Sequence, residues 1–265
     1  MSKKISLVLV MVLCMAGMSQ AYTYSWCFTS GNWADAARWD IVPSPTVEGQ
    51  ALVYNGATLD VTTAGQGAWD ASIGYEPTVN PGVGVTVNVA AGIQFTVANS
   101  LMVGHGNTGT LNIDGIVKSS GIRVTTGASG NLPGLRGTVN VNNGGLLKVG
   151  FGGWAIDMGE GTAGGAINLN GNGSMIVDGD GGWHIEFYGG RGHLDLESGS
   201  LKVLGNWVGA LQTRINNGWI TGFDGAGTVN TPVFDGVYTV VTAIPEPATM
   251  VLLSLGGLLL RKRMA

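Results

Sequence analysis

Gly109-Thr-Leu-Asn-Ile-Asp-Gly115 is followed by Gly137-Thr-Val-Asn-Val-Asn-Asn143, then by Gly165-Ala-Ile-Asn-Leu-Asn-Gly171 and Gly192-His-Leu-Asp-Leu-Glu-Ser198. The leading glycines are 28, 28 and 27 residues apart. Two looser copies begin at Gly84 and Gly56. Because a fixed period of this length marks repeat architectures, the stretch from residue 56 to about 218 is predicted to be a repeat of about six units.

Within each copy, apolar and polar residues alternate. Leu111 and Ile113 point one way, and Thr110, Asn112 and Asp114 point the other, which is typical of a half-buried strand. Shorter apolar runs such as 146–149 follow after a turn. Two or three short strands in about 27 residues predict one coil of an all-β, right-handed parallel β-helix. The alternative is a β-sandwich, whose strands would not copy one another at constant spacing.

Segments of different character flank the repeats. Residues 22–55 contain Trp33 and Trp39, which we expect to cap the apolar face of the first coil. Residues 219–243 loosen the repeat and end in the strand-like run 238–242, which predicts a closing cap.

The first residues have the pattern of a secretory signal peptide. Lys3 and Lys4 precede an apolar run, and Ser19-Gln20-Ala21 offers small residues before a cut. We therefore predict a signal peptide over residues 1–21, cleaved after Ala21 and read by the Sec export machinery. Cys27 would then be the single cysteine of the mature chain, so no internal disulfide is expected.

The last residues join three physical parts. Pro245-Glu246-Pro247 is stiff and non-helical, residues 248–260 carry no charge, and Arg261, Lys262 and Arg263 form a basic stop. An apolar helix followed by cations holds a chain with its basic end in the cytoplasm. The run is short for a permanent span, which needs about 20 residues, so residues 244–265 predict a short transmembrane helix.

This tail resembles the PEP-CTERM sorting signal of Gram-negative, exopolysaccharide-producing bacteria. The resemblance places the family's sorting motif on Pro245, Glu246 and Pro247 and its basic end on Arg261, Lys262 and Arg263. It implies an exosortase, a membrane-bound protease or transpeptidase-like enzyme, as partner. It also implies that the tail is removed and that the chain is sorted cargo rather than an enzyme. The repeats loosely resemble autotransporter passenger domains.

Composition excludes some partners. The chain has 46 glycines among 265 residues, which indicates many tight turns. Without the two terminal segments its net charge would be near −8, from eight basic and sixteen acidic residues. Nucleic acids and anionic membranes attract clustered cations, so neither is an expected partner of the body.

Some residues suggest chemistry, but the repeat argues against it. His193, Asp195 and Glu197 align with the outward positions of all the other copies, so we expect a solvated face there. We predict no catalytic residues, no metal site and no cofactor. A polysaccharide lyase or hydrolase on the same fold is the further alternative, and it would need a carboxylate pair in one groove.

Two columns of side chains are expected to stack from coil to coil. Trp154, Trp183 and Trp207 occupy similar positions in successive copies, either as a buried ladder or as an exposed stripe that contacts glycans. The asparagines at 112, 140 and 168 are predicted to point outward, where they would serve solubility or glycan contact.

The sequence thus predicts an exported structural or adhesion protein of the cell surface or extracellular matrix, sorted by an exosortase. The alternative is an extracellular polysaccharide-binding module.

Overall fold

A computed structural model describes residues 24–27, 29–40, 49–75, 84–126, 136–150, 156–159, 164–179 and 185–246. The described strands stack as the parallel coils of a β-solenoid. This confirms the predicted all-β solenoid and is not the arrangement of a β-sandwich, whose strands are antiparallel.

The strands are numbered along the chain. They are β1 (Tyr24–Cys27), β2 (Gly31–Asn32), β3 (Gln50–Val53), β4 (Thr58–Val61), β5 (Gly67–Ala68), β6 (Asp70–Ile73), β7 (Val85–Val89), β8 (Gln94–His105), β9 (Gly109–Ile113), β10 (Ile116–Thr126), β11 (Arg136–Val141), β12 (Leu146–Val149), β13 (Ile156–Met158), β14 (Gly164–Leu169), β15 (Ser174–Val177), β16 (Ile185–Phe187), β17 (Gly192–Leu196), β18 (Ser200–Leu204), β19 (Ile220–Gly222), β20 (Gly227–Val229), β21 (Val233–Phe234) and β22 (Tyr238–Pro245). One α-helix, α1 (Val208–Asn216), lies between β18 and β19.

The repeated motif forms a parallel sheet of its own. The six copies are β4, β7, β9, β11, β14 and β17, flanked by β2 and β19. The register pairs equivalent residues, for example Asn112 with Asn88 on one side and Asn140 on the other. In the looser copy that contains β7, Val85 rather than Gly84 lies opposite Gly109.

The second sheet stacks the other strands of each coil. Its order is β1-β3-β6-β8-β10-β12-β15-β18-β22-β20, with β5, β13, β16 and β21 paired alongside. The long strand β10 pairs with β12 through its first half and with β13 through its second half. Pairing is parallel as far as β18 and becomes antiparallel at β22.

The core lies between the two sheets. Inward residues such as Leu111, Val139 and Leu147 are fully buried. The leading glycine of each of the four regular copies lies close to a strand of the second sheet: a Cβ on Gly137 would overlap the carbonyl oxygen of Val103, and one on Gly165 would overlap that of Val124. Glycine is therefore required there by the close approach of the backbones.

Aromatic residues pack together near the first coil. Trp33 is buried and meets Trp39 edge-on, with ring centroids 5.0 Å apart, and Phe95 at 4.8 Å. The Trp39 indole donates a hydrogen bond to the Trp33 carbonyl oxygen at 3.0 Å. Both tryptophans therefore belong to the apolar core, and their capping role stays a prediction. Cys27 is also buried and free, and burial raises the pKa of its thiol.

The helix α1 interrupts the strands near the end of the chain. The hydroxyl of the buried Thr239 on β22 accepts a hydrogen bond from the Trp207 backbone N–H at 2.7 Å, and the Arg214 side chain donates to the Ile185 carbonyl oxygen at 2.7 Å. These bonds join α1 to β22 and β16. Within the residues described, no helix has the length and apolarity needed to cross a membrane.

Candidate functional site at the C-terminal cap

The strand β22 closes the solenoid. One of its edges pairs with β18, from Ser200 opposite Thr242 to Leu204 opposite Tyr238. Its other edge pairs with β20 and β21. Thr239, Val241 and Ala243 point inward and are buried. The strand β18 therefore presents its backbone hydrogen-bonding groups to β22 rather than to solvent, as a solenoid cap requires.

A polar contact also holds β22 to the preceding coils. The Tyr238 hydroxyl donates to Asp178 Oδ1 at 2.9 Å, and Lys148 Nζ lies 2.6 Å from Asp178 Oδ2. The bond to Asp178 raises the pKa of the Lys148 ammonium above its ordinary value of 10.5. The same carboxylate raises the pKa of Tyr238 above 10.0, because the neutral hydroxyl is the donor.

The cap also covers Asp195, and this corrects one expectation. Asp195 was expected on a solvated face, but it is only 4% exposed. It accepts hydrogen bonds from Thr221 Oγ1 at 2.5 Å and from the Asp224 backbone N–H at 3.0 Å. His193 Nε2 lies 2.9 Å from the same threonine hydroxyl. The strand β19 and the turn after it fold over this position, which the aligned copies leave more open.

The turn over Asp195 has an unusual backbone. Phe223 and Asp224 have φ values of 53° and 55°, in the left-handed region that a bulky residue such as Phe223 seldom occupies. The hydrogen bonds that the Asp224 backbone N–H donates to the Asp195 carboxylate hold this conformation in place. The arrangement is a structural lock on the cap, since the carboxylate is used by the hydrogen bonds that fix the turn.

The predicted sorting residues follow directly. Pro245 is the last residue of β22 and lies opposite Gly227. Glu246 is exposed. Pro247, Arg261, Lys262, Arg263 and the predicted cleavage residue Ala21 lie outside the described residues, so their assigned roles stay predictions.

A comparison with known families identifies this segment. Residues 243–263 carry a PEP-CTERM protein-sorting motif. The motif implies exosortase-dependent sorting of an exported protein, which is anchored transiently in the membrane before it reaches the cell surface. Exosortase is an inner-membrane enzyme. Neither the curated proteins nor the solved structures gave a match.

The sorting motif begins inside the folded body. Its first three residues, Ala243 to Pro245, are the end of β22 and pair with β20. The side chain of Ala243 is buried, and Ile244 is half exposed. Sequence reasoning placed the end of the cap at residue 243 and the start of the tail at residue 244. The PEP-CTERM motif and β22 share three residues, so the tail starts within the cap.

The tryptophans proposed to contact glycans are only partly described. Trp207 immediately precedes α1, packs against the core and donates its indole N–H to the Leu204 carbonyl oxygen at 2.8 Å. Trp154 and Trp183 lie outside the described residues. The glycan-contacting stripe therefore stays a prediction, and the one described member is partly buried and hydrogen-bonded.

The asparagine column points away from the core, as predicted, and it also forms a hydrogen-bonded ladder. The Asn140 amide donates to Asn112 Oδ1 at 2.8 Å and accepts from Asn168 Nδ2 at 2.9 Å. The ladder continues from Asn112 to Asn88 and from Asn88 to Asp60. These side chains do point away from the core, but they bond to one another. The column thus contributes to coil stacking, a role that the sequence did not predict.

Among the described residues, no group of three or more His, Cys, Asp or Glu side chains is arranged to hold a metal ion. Sequence reasoning did not predict the contacts of Asp178 or Thr221. Their partners lie 60 and 26 residues away in the chain, and no local pattern marks such contacts.

Proposed function

We propose that this chain is a structural or adhesion protein of the cell surface or extracellular matrix, a stiff β-rod that an exosortase-type enzyme processes through its tail. The overlap of the sorting motif with β22 supports this most directly. A chain that is anchored through the end of its own solenoid is displayed as a rod that starts at the membrane.

The character of the rod supports a scaffold role. The outer face of the repeat sheet carries threonines and a hydrogen-bonded asparagine ladder. Uncharged side chains that hydrogen-bond to one another from coil to coil support the stacking of the coils and also keep the outer face polar. At the C-terminal end β22 pairs with the edge of β18, which limits edge-to-edge association there, and we expect Trp33 and Trp39 to cap the other end.

The pairing of β22 also limits where the tail is cut. Proteolysis acts preferentially on segments that are exposed and free of backbone pairing. Ala243, Ile244 and Pro245 pair with β20, whereas Glu246 is exposed beyond the last pair. We therefore expect cleavage on the carboxyl side of Pro245, so that the mature rod keeps the whole closing strand.

Intact mass spectrometry of the protein from its native host tests the proposal. A variant with Pro245, Glu246 and Pro247 changed to alanine serves as the control. We expect a wild-type species that lacks residues 1–21 and the tail but retains Pro245, and a variant that keeps its tail in the membrane fraction. A tail present in both forms would contradict processing, and a wild-type terminus before Pro245 would contradict the cleavage limit.

The second candidate is a polysaccharide-binding module, which a cleft in the second sheet favours. Catalysis is not proposed, even though two carboxylates, Asp70 and Asp157, line that cleft. Asp70 accepts three structural hydrogen bonds, and Asp157 pairs with Arg123. A glycosidase needs one carboxyl group as a proton donor, whereas both of these carboxylates already accept hydrogen bonds or form an ion pair, which does not favour glycoside hydrolysis. Release of reducing sugar or of unsaturated products from polysaccharide would contradict a non-catalytic role.

A further inference from the structure

A cleft opens on the outer face of the second sheet, where β6, β8, β10 and β13 lie side by side. Its volume is about 300 Å³. Its polar lining consists of Asp70, Asn99, Ser100, Arg123 and Asp157, and the partly exposed Met102 contributes apolar surface. Cavities that bind small molecules begin at about this size and combine apolar walls with a few placed polar groups.

A β-bulge shapes this cleft. Val97 pairs with Ser119, and the next pair joins Ser100 to Gly121, so two residues of β8 face only Ser120 of β10. Side-chain bonds fix the irregularity: the Ser120 hydroxyl donates to the Ala98 carbonyl oxygen at 2.6 Å. Bulges re-aim side chains and occur next to functional sites. Here the bulge turns Asn99 toward Asp70.

One wall of the cleft is held rigid by hydrogen bonds. Asp70 Oδ1 accepts from Asn99 Nδ2 at 2.8 Å and from the Ser100 backbone N–H at 2.9 Å. Asp70 Oδ2 accepts from Gln50 Nε2 at 3.0 Å. A carboxylate has about four acceptor positions, so it retains capacity for a hydroxyl donor. Its fixed orientation lowers the entropy that binding would cost.

The other wall places three kinds of side chain in one row. The register sets Met102 beside Arg123 and Arg123 beside Asp157. Arg123 Nε lies 3.5 Å from Asp157 Oδ2, and the arginine side chain is 38% exposed. A guanidinium carries five N–H donors in a planar fork, so one ion pair does not exhaust it. The row offers a ligand an apolar contact, a donor and an acceptor together.

We propose that this cleft binds one or two sugar rings of a neutral polysaccharide. A sugar ring has hydroxyl groups that both donate and accept, and C–H surfaces that pack on apolar side chains, which matches this lining. Two carboxylates and one guanidinium leave a net negative charge, which disfavours polyanionic glycans. This inference deepens the second candidate function and does not depend on the sorting of the chain.

Ligand-observed saturation-transfer NMR on the full chain tests this binding. The protein is held in a zwitterionic detergent without sugar groups, and the probes are cellobiose, maltose, lactose and the anionic digalacturonate. We expect at least one neutral disaccharide to bind in the wild type. Loss of one charge-assisted hydrogen bond in Arg123→Gln should weaken that binding roughly tenfold. Exposed ion pairs contribute little to stability, so the variant should fold.

The matched control is Lys118→Gln, which removes a cation from the same strand outside the cleft lining. Its affinity should equal that of the wild type. If Arg123→Gln does not fold, Ser100→Ala, which removes a hydroxyl from the opposite wall, takes its place. Equal weakening in Lys118→Gln, preference for digalacturonate, or no saturation transfer to any neutral disaccharide at 10 mM, roughly the weak limit for ligands of this size, would each overturn the proposal.

Discussion

The outward asparagine ladder should carry measurable stability, and Asn140→Ala tests it. Asn140 makes two side-chain hydrogen bonds, to Asn112 at 2.8 Å and from Asn168 at 2.9 Å. Each is worth about 0.5–1.5 kcal/mol net. The side chains are half-buried, so water replaces part of what is lost, and we expect the free energy of unfolding to fall by about 1–2 kcal/mol. Urea unfolding followed by circular dichroism, with an unchanged m-value, measures the difference.

A double-mutant cycle separates the ladder bond from general effects of alanine. Asn112→Ala combined with Asn140→Ala should give a coupling of about 0.5–1 kcal/mol, since the first loss already removes the shared bond. Asn142 lies on the same face of the chain but bonds to Asp114 and Asn170 instead. Coupling between Asn140 and Asn142 should therefore be close to zero. Equal coupling in the two cycles, or no loss in Asn140→Ala, would refute the ladder as a source of stability.

Three further predictions concern the close approach of the sheets, the cap lock and the closing strand. Gly137→Ala should lower the free energy of unfolding by about 1–3 kcal/mol, because the added Cβ would overlap a backbone oxygen. In the control Gly84→Ala the added Cβ meets only a methyl group at 3.7 Å, so equal urea midpoints for the two variants would contradict the prediction. Asp195→Ala should cost about 1–3 kcal/mol and release the amide of the turn above it to hydrogen exchange, because buried donors lose their acceptor; retained protection would argue against the lock. Because the pKa values of Lys148 and Tyr238 are raised in the folded protein, the bonds of both groups to Asp178 stabilise it below the ordinary pKa values of 10.5 and 10.0, and this stabilisation is lost as pH rises through the raised pKa values. Tyr238→Phe should therefore lose less stability above pH 10 than the wild type, and parallel curves of unfolding free energy against pH would contradict this.

The repeat sheet was predictable because its signal is local and repeated. Each copy alternates apolar and polar residues, so one strand explains six, and β12 matches the predicted run 146–149. The helix α1 was not predicted. It is nine residues long, contains Gly209 and buries only Leu211, so neither propensity nor periodicity marks it.

The candidate sites divide in the same way. The PEP-CTERM motif was predicted correctly because the tail's three parts are contiguous in sequence. The cleft was not found, because Asp70, Arg123 and Asp157 meet only through the stacking of three coils. Asp195 was misplaced because the alignment showed its position in the sheet but not the turn that returns over it. Side chains that meet through tertiary structure leave no pattern in a single copy of the repeat.

The position of β22 within its sheet explains how one strand serves as both cap and anchor point. A strand at the edge of a sheet is held by one neighbour only, but β22 lies between β18 on one side and β20 with β21 on the other. Force on the tail therefore acts on a strand whose two edges are both paired, and drawing Pro245 out would also break the pairs from Gly227 to Val229. Removal of the tail beyond Glu246 breaks none of them. The same strand can hold the body to the membrane before cleavage and shield the last coil after it, because the pairing that resists extraction ends where the exposed part of the sorting motif begins.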